Sequence, residues 1–138
     1  MAEQVKFEII SPAKLEASGQ ADMIIVPGAE GDLGLQAERM PIMLMLRPAV
    51  VYIFNGNTVA QRYFVKGGYA QFENNVARIL CEDTFPMSDI TAEAANKRLA
   101  DAQQNLKDAK DETDKIIAKA DVKAAEGLIY ALNHPSYS

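Results

Sequence analysis

Three places in this sequence carry residue types that could do chemistry, and each fails on spacing or surroundings. The first is Gly28-x-x-Gly31-x-x-Gly34, with Glu30 and Asp32 between the glycines. Glycine-rich loops cradle phosphate by presenting backbone N–H groups at the start of a helix, in GxGxxG or Gly-Lys-Ser/Thr patterns. This stretch has neither pattern, opens no helix and sets two acids where phosphate would be repelled. The second is Cys81, followed by Glu82 and Asp83. Neighbouring carboxylates raise a thiol's pKa and suppress the thiolate that a nucleophile needs, so Cys81 reads as a buried structural residue. Glu82 and Asp83 are unsuited to paired-carboxylate catalysis, because adjacent strand residues point to opposite faces. The third is His134, the only histidine, far along the chain from the only cysteine. A zinc site needs several such ligands together, and His134 reads as a solvated helix-end residue. No catalytic residue, metal site or cofactor is expected.

The elements that would position any site are bounded by composition. A chain of 138 residues, 49% of them hydrophobic, makes one domain or one domain with a small appendage. It has no apolar run of about 18 residues, so no helix is expected to span a membrane. A net charge of -5 disfavours nucleic acid and anionic lipid, both of which attract basic patches. One cysteine excludes an internal disulfide and suits a reducing compartment. Met1-Ala2-Glu3-Gln4 carries acid where a signal or transit peptide carries base. A cytoplasmic chain is expected, touching a membrane only through a partner.

Composition changes near residue 87, which predicts two units, 1–87 and 88–138. All five Phe and seven of the eight Gly precede that point, as suits strands and turns. The first unit reads as short strands. Val5-Lys6-Phe7-Glu8-Ile9 alternates apolar and charged residues, and Ser11-Pro12 ends it. Leu15 to Ala17 leads into Ser18-Gly19. Met23 to Val26 reads as a strand buried on both faces and stopped by Pro27-Gly28. Val50 to Phe54 and Thr58 to Val65 flank Asn55-Gly56-Asn57, a hairpin signal because Asn and Gly tolerate positive φ. Tyr69 to Phe72 and Val76 to Cys81 flank a second turn at Glu73-Asn74-Asn75. Such spacing implies an antiparallel sandwich or barrel.

The second unit changes period. Ala95, Leu99, Ala102, Leu106 and Ala109 form one helical seam, and Ile117, Ala120, Ala124, Leu128 and Ala131 a second. Ser88 or Thr91 suits the first N-cap, and Glu93 with Lys97 has the i,i+4 spacing of a stabilising pair. Lys110 to Asp114 is a polar break, and Asn133-His134-Pro135 ends the second helix. The short break implies an antiparallel helical hairpin. Alanine seams bury little, about 0.8 kcal/mol per methyl against roughly 1.5–3 for a leucine. The hairpin is therefore expected to be weakly held and able to dock and undock.

Ile25-Val26-Pro27-Gly28-Ala29-Glu30-Gly31-Asp32-Leu33-Gly34 resembles the (V/I)xGxEGxxG loop of epsilon subunits of F-type ATP synthases, the equivalent of mitochondrial delta. Further segments resemble that family in order. They are Met40-Pro41-Ile42-Met43, Leu46-Arg47-Pro48-Ala49-Val50-Val51, Phe64-Val65-Lys66-Gly67-Gly68-Tyr69-Ala70 and Ile79-Leu80-Cys81-Glu82-Asp83-Thr84. The helical half is similar by position more than by motif.

This resemblance implies an α+β fold, mainly β: a ten-stranded antiparallel β-sandwich followed by a C-terminal antiparallel two-helix hairpin. It implies a non-catalytic rotor subunit at the cytoplasmic face of the bacterial inner membrane, coupling the c-subunit ring to the gamma subunit. Through the hairpin it implies contact with the alpha and beta catalytic subunits and modulation of ATP hydrolysis. The ring-facing residues would be Gly28, Glu30, Gly31, Asp32, Leu33 and Gly34. Glu38, Arg39, Met40, Ile42 and Met43 would face gamma, and Glu30, Asp32 and Glu38 would meet ring cations. Met45 is a further candidate for apolar contact, set against the plainer reading that these methionines fill the core.

Two departures from the family pattern bear on function. Ala37-Glu38-Arg39 stands where the family usually has Pro-Gly-His, so Arg39 replaces a gamma-facing histidine. Thr91 and Ala94 stand where ATP-binding members carry Asp and Arg, and without that cation tight nucleotide binding is not expected. The alternative from another class is a free-standing sandwich binding module with the helices as an oligomerisation device. The lack of any Trp weighs against a sugar-binding face.

Overall fold

The computed structural model describes residues 3–137. The outermost positions of both predicted units, 1–2 and 138, lie outside the described residues.

Ten strands come first: β1 (Val5–Ile10), β2 (Leu15–Ala21), β3 (Met23–Gly28), β4 (Gly31–Leu35), β5 (Ile42–Met45), β6 (Ala49–Asn55), β7 (Thr58–Val65), β8 (Tyr69–Glu73), β9 (Val76–Leu80) and β10 (Thr84–Pro86). A 3₁₀ turn, Met87–Asp89, then leads to α1 (Ala92–Asp108) and α2 (Glu112–Asn133). The strands form two five-stranded sheets, β2-β1-β9-β8-β5 and β10-β7-β6-β3-β4. Every pairing is antiparallel except one, since β1 runs parallel to β9 with Lys6 beside Val76 and Ile10 beside Leu80. The sandwich is therefore not wholly antiparallel.

Alternation along the strands builds two apolar layers. Val5, Phe7, Ile9, Phe72 and Ile79 of the first sheet meet Ile24, Val26, Val51, Ile53 and Val65 of the second. The intervening residues of the second sheet, Ile25, Val50, Tyr52, Phe54 and Phe64, form a second layer with Ala95 of α1 and Leu128 of α2. The hairpin thus lies folded on the outer face of the second sheet. This is why β3 is buried on both faces, as its unbroken apolar run predicts.

Several boundaries differ from expectation for local reasons. β2 runs through Ser18-Gly19, and Gly19 stands opposite Phe7; a Cβ there would sit 3.1 Å from the Phe7 ring. β3 continues through Pro27 because its pairing to β6 spans only Met23 to Ile25, so the missing N–H breaks no ladder bond. The glycine stretch read as a loop is in fact a hairpin, with Gly28 opposite Gly31 across the Ala29-Glu30 turn.

α1 follows its predicted seam: Ala95 and Ala102 are buried, with Leu99, Leu106 and Ala109 half-buried. Thr91 caps it by accepting the Ala94 N–H at 3.1 Å. α2 starts earlier than predicted, because Asp111 accepts the Asp114 N–H at 2.8 Å and caps at that point. Its seam holds at Ala124 and Leu128 but not before: Ala118 is buried whereas Ile117 and Ala120 are exposed. The first turns of α2 have only α1 beside them, so the position facing α1, Ala118, is the one covered.

One unanticipated glycine fixes how the hairpin docks. Gly127 sits within α2, where glycine costs about 1 kcal/mol relative to alanine. A Cβ there would come within 2.7 Å of the Pro48 carbonyl oxygen. Its absence lets the helix backbone close on the loop between β5 and β6.

Candidate functional site

The ring-facing candidates gather at the β3–β4 hairpin beside the Met45 end of β5, whereas Glu38 and Arg39 lie apart from it, near Asn75. Gly28 is buried at the close of β3, and a Cβ would lie 2.5 Å from the Gly31 carbonyl oxygen. Gly31 adopts φ 148°, a left-handed conformation that favours glycine. These two glycines make the tight two-residue turn that lifts Ala29 and Glu30 into solvent. Among the described residues, the Glu30 carboxylate has no hydrogen-bond or ion-pair partner.

Asp32 behaves differently. Its Oδ1 accepts from Arg47 Nη2 at 2.6 Å and its Oδ2 from the Tyr137 hydroxyl at 2.9 Å. The side chain retains 29% of its exposure. The carboxylate beside it holds the Tyr137 phenol above its usual pKa, mainly because the hydroxyl proton is engaged in that bond. Arg47 is itself fixed, with Nη1 donating to the Gly28 carbonyl at 2.7 Å. Of the remaining turn residues, Leu33 packs against the sandwich core, and Gly34 leaves 3.4 Å between a notional Cβ and Met23 Sδ.

β5 is the edge strand of the first sheet. Its side chains alternate, with Ile42 and Leu44 packing inward on the core and Met43 and Met45 pointing out. Met40, Met43 and Met45 are 81%, 63% and 64% exposed, so these methionines do not fill the core. Met45 pairs with Tyr69 on β8, also exposed. A shallow groove bordered by Glu30, Gly31, Leu33, Leu44 and Met45 joins the turn to this strand, and the Ala29 N–H donates to the Met45 carbonyl at 2.8 Å. Turn and methionine edge form one continuous surface.

Glu38 and Arg39 lie on the connection between β4 and β5. Glu38 has φ 68° and is held by Asn75, whose Oδ1 accepts the Glu38 N–H at 2.8 Å. Its carboxylate is directed to Asn75 and Glu3 rather than towards the turn, so it does not join Glu30 and Asp32. The Glu3 carboxyl is pushed up by this neighbour, and the Glu38 carboxyl is held down by the hydrogen bonds from Glu3 and Asn75.

A second candidate region is the junction between hairpin and sheet. Lys66 pairs with Asp121 at 2.5 Å and Arg98 with Asp83 at 3.8 Å, while Arg98 also lies over the Phe85 ring at 4.7 Å. The half-open space beside them is ≈ 220 Å³, below the roughly 300–1,000 Å³ of small-molecule sites. Its two cations, Lys66 and Arg98, stand among three acids, Asp83, Asp101 and Asp121. Thr91 and Ala94 meet in the α1 cap, the Thr91 hydroxyl accepting the Ala94 N–H. Cys81 is buried, and burial together with Asp83 and Glu16 pushes its thiol up to about 11.

Sequence reasoning missed Arg47 as a partner of Asp32, although Leu46-Arg47-Pro48 was a recognisable segment. Tyr137 carried no signal, since nothing in a chain end reveals the sheet it returns to.

Comparison with known proteins agrees with this architecture. The family described as "ATP synthase, Delta/Epsilon chain, beta-sandwich domain" matches residues 4–87. The ATP synthase epsilon chain of Paramagnetospirillum magneticum is 40% identical over 132 residues, covering 96% of this chain and 99% of that one. The epsilon chain of Rhodospirillum rubrum is 35% identical over 131 residues, covering 95% and 98%. Among solved structures, a chain of the Euglena gracilis mitochondrial ATP synthase superposes with a TM-score of 0.75 at 21% identity, over 94% of this chain and 81% of that one. A chain from the Tetrahymena thermophila mitochondrial ATP synthase central stalk and c-ring gives 0.67 at 18%, over 94% and 97%. With this fold, these motifs and these relatives, the chain belongs to the ATP synthase epsilon chain family.

Proposed function

We propose that this chain is a non-catalytic central-stalk subunit of an F-type ATP synthase, transmitting rotation between the c-subunit ring and gamma. In this reading the β3–β4 turn faces the ring and the β5 methionine edge faces gamma. The observation that carries it is the continuity of two unlike surfaces, an exposed acid at Glu30 beside the outward row Met43 and Met45. Exposed ion pairs contribute under about 1 kcal/mol each, so the turn sets register. Buried apolar area contributes more, and methionine adapts to irregular partners, so the edge supplies affinity. The Tetrahymena relative lies in a central stalk and c-ring assembly, which supports the placement. Attachment to the cytoplasmic face of the membrane then follows through the complex.

The hairpin's role is read as a minor restraint on hydrolysis. Its seven basic and nine acidic residues give a mixed surface to set against acidic segments of the catalytic subunits, and the part of its apolar face around Leu128 is occupied by the sheet. The placement is tested by co-purification. Met43→Asp with Met45→Asp should abolish recovery with gamma while leaving the circular dichroism unchanged. Undiminished recovery would overturn the methionine edge as the gamma surface.

A further inference from the structure

Beyond the end of α2, residues 134–137 return across the outer face of the second sheet as a strap. The Ser136 N–H donates to the Tyr52 hydroxyl at 3.2 Å, and Arg62 Nη2 donates to the Tyr137 carbonyl at 3.0 Å. The Tyr137 ring stands edge-on to Tyr52, with centroids 4.8 Å apart. The strap ends on the β3–β4 hairpin, where the Tyr137 hydroxyl takes Asp32 Oδ2 while Arg47 takes Oδ1. Both oxygens of this carboxylate are filled from within the chain, although Asp32 lies beside an exposed turn.

The two donors are not equivalent. Arg47 is built into the hairpin, because its guanidinium also holds the Gly28 carbonyl and its N–H donates to the Pro27 carbonyl at 2.9 Å. Tyr137 lies on a short strap past a helix end and reaches Asp32 through a single hydroxyl bond. The strap's other anchor is also partial, for among the described residues Arg62 Nε is buried without a partner.

We infer that Asp32 is shared between the strap and the partner, so that a partner cation reaching Asp32 displaces the Tyr137 hydroxyl and releases residues 134–137. The inference rests on the ring-facing reading of the turn. Release uncovers Arg62 and Tyr52 on the second sheet, converting an event at the turn into a change of surface on the hairpin side. Coupling of this kind is reciprocal: whatever favours the docked strap disfavours the cation by the same factor.

Hydrogen exchange on the full chain, with and without a detergent-solubilised c-ring, tests this. The ring should protect residues 28–34 and raise deuterium uptake over 134–137. Tyr137→Phe keeps the ring packing and removes the competing hydroxyl. It should bind the c-ring about two- to fivefold tighter, the scale of one exposed charge-assisted contact. Asp32→Ala, which removes both acceptor oxygens, should raise strap uptake with no ring present. Unchanged strap uptake in Asp32→Ala overturns the inference on the free chain alone. A ring footprint on 28–34, with the strap still protected and Tyr137→Phe at wild-type affinity, overturns it and leaves the ring-facing turn standing. No footprint on 28–34 overturns the ring-facing turn itself, and this inference with it.

Discussion

Gly127 shows how one residue can set the relation between two units. Gly127→Ala would normally help a helix by about 1 kcal/mol. Here the added methyl meets a backbone carbonyl that cannot rotate away, and overpacking of this kind costs roughly 1–3 kcal/mol. The substitution is expected to lower the melting temperature, measured by circular dichroism, with the loss concentrated in hairpin amides by hydrogen exchange. Cys81 gives a second residue-scale expectation. Its thiol is raised from an ordinary value of 9.0 to about 11, so the folded state holds the proton more tightly than the unfolded chain. That contribution is fully present below about pH 9 and is lost as pH rises towards 11. Denaturant midpoints should therefore fall over that window in the wild type and less so in Cys81→Ala. Alkylation of the native chain at pH 8 should be negligible.

At the scale of elements, the hairpin is held by apolar contact with the sheet more than by its alanine seam or its ion pairs. Leu128 is 1% exposed, and Leu128→Ala should cost about 2–5 kcal/mol. Lys66→Ala, which breaks the pair with Asp121, should cost under about 1 kcal/mol because both groups remain partly hydrated. Equal effects in urea denaturation would contradict this ranking. What was legible at this scale followed from local chemistry. The hairpins at Asn55-Gly56 and Asn74-Asn75 announced themselves through residues that accept positive φ, which Gly56, Asn74 and Asn75 adopt. β4 was hidden because Gly31 and Gly34 read as loop, and β5 and β10 because strands of four and three residues show too little periodicity. The early α2 seam misled for a different reason. In an alanine-rich helix several faces look alike, and only the position of α1 decides that Ala118 rather than Ile117 is covered. The candidate turn was visible in sequence, but the partners of Asp32 were not, because Arg47 and Tyr137 come from 15 and 105 residues away.

For the molecule as a whole, the two units are unequal dependants. The sandwich has its own inner core, yet its second sheet presents Ile25, Val50, Tyr52, Phe54 and Phe64 to the hairpin. A chain ending before Ile90 would expose that contiguous apolar face, and large exposed patches favour association. Such a truncation is expected to aggregate at micromolar concentration, as light scattering would show. A truncated chain that stays monomeric would mean that the sheet does not depend on its cover. Hydrolysis assays on truncated enzyme are accordingly better replaced by point substitutions such as Leu128→Ala.

The lone parallel pairing of β1 with β9 also sets an order of events in time. β1 can form its hairpin with β2 early, but its other edge stays open until residues 76–80 have been made and delivered. Closing so long a loop is entropically slow compared with forming the neighbouring hairpins of the second sheet. A nascent chain therefore carries an unsatisfied apolar strand edge until β9 has emerged. Pulse-labelled refolding should show β6 and β7 amides protected before those of β1 and β9, so that β1 is among the last strands to be sealed.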